Sequence, residues 1–285
     1  MVLPNPRRGY GLEKAEQLIN AVAESSKTWG VAQPEIIAVS TVKGLLKFHV
    51  SQGVTLKGVQ EKLSALEERF PQLANAETEV DAGSLTIRKA DVISSLPKDP
   101  EAFFHARRSV RQFGENQAFD SSCISRATKM AQRAPSVCNR QTCKVYSFTD
   151  PAAIASLLKH QDGNSGFGQT ASALMICTSD LSNFYKVGER NQGFVDGGLF
   201  AMALAYAFHS IGVGTCMLNW SQAAHKDKLF RRVCRIPDRE VIITMMAVGP
   251  LRDEYKVAYS PRRSLCDVLI EDDNTLLSKP QDEKL

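Results

Sequence analysis

The chain has 285 residues, of which 43% are hydrophobic and 23% are charged, and its formal net charge is +4 at pH 7. This composition is ordinary for a globular protein with a large core. The small net charge leaves a basic patch possible, but no stretch has the charge density of a nucleic-acid-binding arm. The sequence also has no apolar run long enough to cross a bilayer, so we expect neither nucleic acid nor a membrane among its partners.

Cysteine usage indicates a reducing environment. The seven cysteines, at positions 123, 138, 143, 177, 216, 234 and 266, form no CxxC pair, and no histidine–cysteine cluster has the spacing of a zinc site. An odd number of cysteines without paired spacing indicates free thiols. The first ten residues lack the apolar core of a signal peptide, and we therefore expect a cytoplasmic protein without a bound metal.

The first third of the sequence is predicted to be helical. Apolar residues recur at helical spacing over residues 12–27 and again over residues 56–69, and Pro34 is suited to the first turn of a helix between them. A mixed, polar stretch after the third helix is typical of a connector. We expect residues 1–98 to form a helical extension with a connector, and residues 99–285 to form a separate domain.

The rest of the sequence alternates between helical and strand-like patterns, which favours a layered α/β or α+β fold around one buried sheet. Predicted helices cover residues 101–108, 121–133, 152–160, 196–211 and 222–233, and predicted strands cover residues 144–149, 173–178 and 241–248. Residues 216–220 are interpreted as a turn that follows the helix 196–211. Because that helix is apolar all round, we expect it to be fully buried.

Two segments concentrate side chains that bind anions and flat polar rings. Arg107–Phe113 reads RRSVRQF and supplies three guanidinium groups and a hydroxyl. Ala134–Gln141 reads APSVCNRQ and supplies two amides in a loop after a helix. Neither segment is decisive alone, because an arginine-rich stretch is more often a solvated surface.

In these segments the sequence resembles the nitroreductase family of FMN-dependent oxidoreductases. The likeness also includes Asp196–Trp220 and the strand end Val248–Gly249 followed by Arg262-Arg263, and it spans roughly residues 100–270. The resemblance implies an α+β fold of layered α/β/α type, in which helices flank a sheet. It also implies a homodimer that binds FMN at the subunit interface.

The resemblance places the cations of the first segment along the phosphate end and one edge of FMN. Arg107 and Ser109 match the family's phosphate and ribityl contacts, with Arg108 beside them. Arg111 matches the position that reaches the pyrimidine edge of the flavin. A phosphate dianion requires guanidinium or ammonium partners, and a cation at the pyrimidine edge stabilises the reduced ring.

The resemblance also implies a C-terminal phosphate clamp. Arg262, together with Arg263, matches the clamp position. The family often has a second basic residue two places earlier, where this chain has Ser260. Either Arg263 substitutes for that residue or the clamp is weaker.

The loop after the predicted helix 121–133 is expected to border the flavin ring. Pro135, Ser136 and Val137 match positions beside the ring, while Asn139 and Gln141 match positions that offer amide hydrogen bonds. Many members of the family have Pro-Trp after this glutamine, and this chain has threonine and cysteine instead. Packing beside the ring therefore differs from the family pattern.

The remaining expected contacts come from two later segments. Asn164 lies in a glycine-rich loop where the family often has an amide that contacts the pyrimidine. Backbone groups of Met217, Leu218 and Asn219 are expected to approach the flavin N5 and the far face of the ring. A backbone N–H near N5 helps to set the hydride affinity of the ring.

The resemblance implies an enzyme in which NAD(P)H reduces FMN and an organic acceptor then enters the same pocket, with ping-pong kinetics. Because the flavin supplies the chemistry, no catalytic acid or base is assigned. Two alternatives remain open at this stage: a non-catalytic flavin-binding or interaction protein on the same scaffold, and a flavin enzyme that uses no nicotinamide. The departures from the family pattern keep the first alternative open.

Overall fold

The computed structural model describes residues 9–74, 87–114 and 118–271. The chain divides into two compact units, Met1–Leu96 and Pro97–Leu285. No helix within the described ranges combines the length and the apolar character needed to cross a membrane.

The first unit is helical. Its helices are α1 (Leu12–Trp29), α2 (Gln33–Ser51), α3 (Lys57–Arg69), α4 (Pro71–Ala74) and α5 (Lys89–Ser94). The apolar faces of α1, α2 and α3 pack together around Val22, Val42 and Val59, all of which are buried. The chain leaves α1 at Gly30, whose φ of 82° suits glycine, and Glu35 caps the start of α2 by accepting the Ala32 N–H. The described part of this unit is therefore stabilised mainly by apolar contacts among α1, α2 and α3.

The second unit combines helices with a four-stranded sheet. Its helices are α6 (Pro100–Ala106), α7 (Ser122–Ala131), α8 (Pro151–Leu158), α9 (Gln192–Ser210) and α10 (Ala224–Cys234). Its strands are β1 (Cys143–Phe148), β2 (Ala173–Asp180), β3 (Val213–Asn219) and β4 (Glu240–Pro250). All neighbouring strands are antiparallel, in the order β1-β2-β4-β3.

Helices cover both faces of this sheet. Strand β2 is buried along its whole length, and its side chains alternate between two apolar clusters. Leu174 and Ile176 pack into the cluster that includes residues of α8 and α10, whereas Met175 and Cys177 pack into the cluster that includes residues of α7 and α9. The predicted α+β class, with a sheet flanked by helices in α/β/α layers, is confirmed.

Two local predictions are wrong. Residues 216–219 belong to strand β3, which pairs with β4 over its whole length, instead of forming a turn. The helix predicted over residues 196–211 is not fully buried within one chain, because Leu199 is 45% exposed. Helix α9 also begins four residues earlier than predicted, and its added residues Phe194 and Val195 are 52% and 53% exposed. One side of α9 packs on the sheet, and the other side presents these apolar residues at the surface of the chain.

Candidate active site

The segment Arg107–Phe113 runs along the outer edge of β3. Ser109 forms a parallel β-bridge with Thr215 of β3. The Val110 N–H donates a hydrogen bond to the Thr215 carbonyl oxygen at 2.9 Å. The side chains of Val110 and Phe113 are buried, so they fasten the segment to the sheet. A side chain at Gly249 would collide with Phe113, because an added Cβ would lie 2.8 Å from its ring. The sheet edge thus fixes the positions of the arginines on either side of Ser109.

Arg107, Arg108 and Arg262 line one cavity of about 560 Å³. His105, at the end of α6, also lines this cavity. The Arg108 guanidinium donates a hydrogen bond to His105 Nε2 at 3.4 Å. Among the described residues, none of these three arginines forms an ion pair with a carboxylate. The cavity therefore collects guanidinium groups that no described carboxylate pairs with directly, although Glu101 also lines it.

Helix α6 is held in place by aromatic contacts with α9. Asp99 caps its start by accepting the Ala102 N–H at 2.9 Å. The Phe103 ring stacks on Tyr206 with a centroid distance of 5.8 Å, and the His209 ring N–H donates to the Phe103 carbonyl oxygen at 3.0 Å. These contacts give His209 a structural role and fix one wall of the arginine cavity.

Arg111 lies at a second cavity of about 290 Å³, together with Met217, Leu218 and Asn219 of β3. Backbone groups alternate between the two edges of a strand, so Met217 presents its N–H and carbonyl to the same edge as Thr215, on the side away from β4. The Leu218 side chain is buried in the core, and by the same alternation its N–H and carbonyl face β4, where the carbonyl accepts a hydrogen bond from Thr244. The outer edge at Met217 is the place where a backbone N–H can meet a ligand.

Cys216 of β3 packs in the apolar core and is 1% exposed. Burial raises the pKa of its thiol, and the positive charge of Arg111 only partly opposes that effect. A thiol with a raised pKa is a poor nucleophile. We therefore assign Cys216 to the core.

Pro135, Ser136 and Gln141 line a third, smaller cavity of about 80 Å³. Ser136 Oγ accepts the Gln141 N–H at 3.0 Å, which closes the loop on itself. The Val137 N–H donates to Asp196 Oδ2 at 3.2 Å, and Asp196 is 2% exposed on the buried side of α9. Sequence reasoning did not assign a role to Asp196, because a single acidic residue in an apolar helix does not reveal its distant partner.

Backbone geometry shows that the loop is tightly wound. Cys138, Asn139 and Gln141 have positive φ angles of 51°, 54° and 50°, which few non-glycine residues adopt. The Asn139 and Gln141 side chains are exposed. The loop therefore presents both predicted amides outward while its backbone is fixed by Ser136 and Asp196.

Arg140 fastens a neighbouring segment to this loop. Its guanidinium pairs with Glu189 at 2.8 Å and lies over the rings of Phe184 and Tyr185, at 5.4 and 5.6 Å from their centroids. Hydrogen bonding to Arg140 lowers the pKa of Glu189, which keeps the pair charged. Sequence reasoning also missed this role, because the partners are about fifty residues apart in the chain.

Asn164 and Arg263 lie outside these three cavities. The Asn164 side-chain amide donates to the Leu158 carbonyl at 2.8 Å and to the Gln161 carbonyl, so it holds the end of α8. Arg263 is exposed. A flavin contact by either residue remains a prediction.

Comparison with known proteins agrees with this architecture. A family model described as the nitroreductase family matches residues 105–164, which include the arginine segment, the loop and strand β1. The second unit has the nitroreductase fold. No protein among curated sequences matches the chain significantly.

Solved structures of nitroreductases resemble the chain at low sequence identity. An FMN-dependent nitroreductase from Clostridium difficile R20291 is 18% identical, with a TM-score of 0.51 over 60% of this chain and 98% of that chain. A candidate nitroreductase in complex with FMN from Desulfovibrio desulfuricans is 19% identical, with a TM-score of 0.52 over 62% and 98%. NfrA2 from B. megaterium is 20% identical, with a TM-score of 0.52 over 64% and 75%.

Proposed function

We propose that the protein is an FMN-dependent oxidoreductase that accepts a hydride from NAD(P)H and passes it to an organic acceptor. One observation carries the proposal. Arg107, Arg108 and Arg262 are distant in sequence, yet they line one cavity and form no ion pair within the described residues. Converging guanidinium groups without carboxylate partners suit a phosphate group.

The length of the edge segment fits a flavin mononucleotide. Arg107 and Arg111 are separated by four steps of extended chain, which covers roughly 13 Å at about 3.3 Å per residue. A ribityl phosphate joined to a three-ring flavin extends over a distance of that order. Arg107 can therefore hold the phosphate while Arg111 lies beside the ring, with Ser109 between them.

The chain also offers groups that would tune a flavin ring. FMN, when bound, supplies the hydride chemistry. The guanidinium of Arg111 favours negative charge at the pyrimidine edge, and a backbone N–H on the outer edge of β3 at Met217 can donate to a ring nitrogen. The amides of Asn139 and Gln141 are exposed on a fixed loop and can orient the ring or the substrate.

We propose that a homodimer completes each site. Within one chain the loop cavity and the arginine cavity are lined by different residues. The exposed apolar residues Phe194, Val195 and Leu199 of α9 form a surface of the kind that subunit interfaces bury. Association through α9 would bring the loop of one subunit toward the arginines of its partner and would also cover these apolar side chains.

Spectroscopy of the purified full-length chain tests the proposed function. We expect flavin absorption bands in the protein as isolated or after addition of FMN, and bleaching of those bands by NADH or NADPH without oxygen. A protein that does not bind added FMN would refute the flavin assignment. A flavoprotein that neither nicotinamide reduces would support the flavin enzyme that uses no nicotinamide.

The assembly is tested separately by light scattering after size-exclusion chromatography. We expect a dimer for the natural chain and a monomer for the variant Leu199→Arg, because a charge in the centre of the apolar surface opposes its burial. The exposed substitution Leu229→Arg on α10 is a matched control that leaves the dimer intact. A monomeric natural chain would refute the shared site.

A further inference from the structure

The exposed side of helix α10 combines cations with apolar side chains. Leu229 and Val233 are 54% and 46% exposed and lie four residues apart, so they share one side of the helix. The same side carries His225, Lys226 and Arg232, which are also exposed and lie three or four residues from Leu229. These five residues form a surface, here named the α10 face, in which basic side chains surround an apolar centre.

The charge of the α10 face is not balanced within its own helix. Asp227 is the only acidic residue of α10, and its carboxylate accepts the Trp220 ring N–H at 2.7 Å and pairs with Arg231 at 2.5 Å. Among the residues that the structure describes, neither Lys226 nor Arg232 forms an ion pair. The α10 face is therefore complementary to an acidic surface.

The layout of the α10 face is that of a small protein interface. Interfaces between proteins have a centre that is poor in charge and a polar rim, which Leu229 and Val233 with their basic neighbours reproduce. One helix buries only a small area, as is typical of transient electron-transfer complexes. A helix on a membrane surface instead turns its large apolar residues outward, whereas Phe230 of α10 is fully buried. These features favour an acidic protein over a lipid surface.

The α10 face also lies close to the second cavity. Helix α10 begins two residues after Gln222, which lines that cavity together with Arg111. Trp220 packs on Phe230 with a centroid distance of 4.4 Å, so the end of β3 and α10 are firmly joined. Leu229 lies five residues into the helix, which is roughly 8 Å along its axis at about 1.5 Å per residue. A protein docked on the α10 face would thus lie beside the proposed position of the flavin ring.

We propose that the α10 face docks a small acidic electron-carrier protein, which serves as an electron source in addition to NAD(P)H. This inference rests on the proposed flavin function, because a carrier delivers electrons only where a redox group is bound. Each reduced carrier gives up one electron and leaves oxidised. Two carriers and one proton from solvent together supply the two electrons and the proton of one hydride.

Calorimetric titration of the full-length protein with an oxidised, acidic two-iron ferredoxin tests the docking without turnover. We expect one ferredoxin per chain at low ionic strength, with or without FMN, and binding that weakens as salt is added. No binding at low ionic strength would overturn the proposal, while bleaching of bound FMN by NADH or NADPH would leave the proposed function intact. A chain that binds no FMN would refute the proposed function, and this inference with it.

The double variant Lys226→Glu/Arg232→Glu tests the location of the docking site. We expect it to weaken ferredoxin binding about tenfold or more, because it opposes the acidic surface, and to leave reduction of the flavin by NAD(P)H unchanged. Lys14→Glu/Lys57→Glu is the matched control, since it changes the net charge equally at two exposed residues of the helical unit. Equal weakening in the two double variants would show attraction to net charge alone and would overturn the proposal.

Rapid mixing of the FMN-loaded protein with reduced ferredoxin, without oxygen, tests the delivery of electrons. We expect the flavin bands to bleach at a rate that falls with added salt and in Lys226→Glu/Arg232→Glu. Leu229→Ala should slow the bleaching about fivefold but keep its salt dependence, because it removes an apolar contact and no charge. Binding to phosphatidylserine vesicles in place of ferredoxin, lost in the double variant, would assign the α10 face to a membrane and overturn the proposal.

Discussion

The second unit contains two groups of cations with different surroundings. Arg231 and Arg239 pair with Asp227 and Asp180 at 2.5 and 2.9 Å, respectively. Arg107 and Arg262 instead share a cavity and form no such pair within the described ranges. A cation in an ion pair has its charge balanced by its partner, whereas cations gathered without direct ion pairs repel one another until an anion binds. Their surroundings thus separate structural arginines from the arginines that we propose bind a ligand, which residue type alone does not do.

The paired group is centred on one buried carboxylate. Glu240 at the start of β4 accepts hydrogen bonds from Lys144 at 2.5 Å, Thr178 at 2.7 Å and Tyr146 at 2.9 Å. The Arg231 guanidinium also donates to the Glu240 backbone carbonyl. Three strands and helix α10 therefore meet at a single residue, which makes this network a support of the fold and not a ligand site.

The largest predicted effect concerns this network. Glu240→Ala should lower the free energy of unfolding by about 3 kcal/mol, because three donors lose a buried charged acceptor. Urea denaturation monitored by circular dichroism measures the change. Glu254→Ala is the control, since Glu254 is exposed and has no ion pair among the described residues. A loss no greater than that of the control would remove the distinction between the two groups of cations.

The second prediction concerns the unpaired group. Arg262→Ala should weaken FMN binding about 30-fold, because it removes a charge-assisted contact to the phosphate, and should leave the unfolding free energy unchanged. The adjacent Arg263→Ala tests the location of the clamp, since Arg262 lines the cavity and Arg263 does not. We expect only a small loss of FMN affinity in Arg263→Ala. Equal losses in the two variants would show long-range attraction instead of a contact.

The third prediction concerns Arg111, which lies over the Phe167 ring at 5.8 Å and lines the second cavity. Arg111→Ala should lower the two-electron reduction potential of the bound flavin by about 30 mV, because a cation beside the ring stabilises its reduced, negatively charged form. Arg111→Lys retains the charge and should retain most of the potential. An unchanged potential in Arg111→Ala would place the ring elsewhere.

Much of this fold could be predicted from local patterns. Strands β1, β2 and β4 and the long helices were located within a few residues, because apolar periodicity and the prolines near their ends are local signals. Strand β3 was missed, since glycines at 212 and 214 resemble the end of a helix and only pairing with β4 reveals a strand. The order of the strands also depends on contacts between distant residues, which one sequence does not show.

Only part of the candidate site could be predicted, again because contacts between distant residues are not visible in one sequence. The segment Arg107–Phe113 and Arg262 could be matched to a family pattern, and the structure places Arg107 with Arg262 at one cavity. Asp196, Arg140 and Glu240 act through partners that lie far away in the chain, such as Val137 for Asp196. Their roles follow from tertiary contacts and could not be recognised from residue type or spacing.

The smallest effect that we predict is the pH dependence of the Glu240 network. Burial alone would raise the pKa of Glu240, but hydrogen bonds from Lys144, Thr178 and Tyr146 outweigh it and hold the pKa below its ordinary value of 4.5. A carboxyl with a lowered pKa in the folded state contributes stability above its unfolded pKa and loses that contribution as the pH falls through the folded value. The unfolding free energy should therefore decline below about pH 4.5, and it should decline less in Glu240→Gln, which has no carboxylate to protonate.

Tyr146 extends the same test to alkaline conditions. Burial and the hydrogen bond to Glu240 raise the pKa of Tyr146 to about 12 from its ordinary value of 10.0. A raised pKa means that the neutral phenol contributes stability below about pH 10, which is lost as the pH rises toward 12. The absorbance of tyrosinate should show a phase near pH 12 that is missing in Tyr146→Phe. If Tyr146 instead ionised near its ordinary pKa of 10.0, its hydrogen bond to Glu240 would not persist in solution, and the network would not hold the three strands together as described.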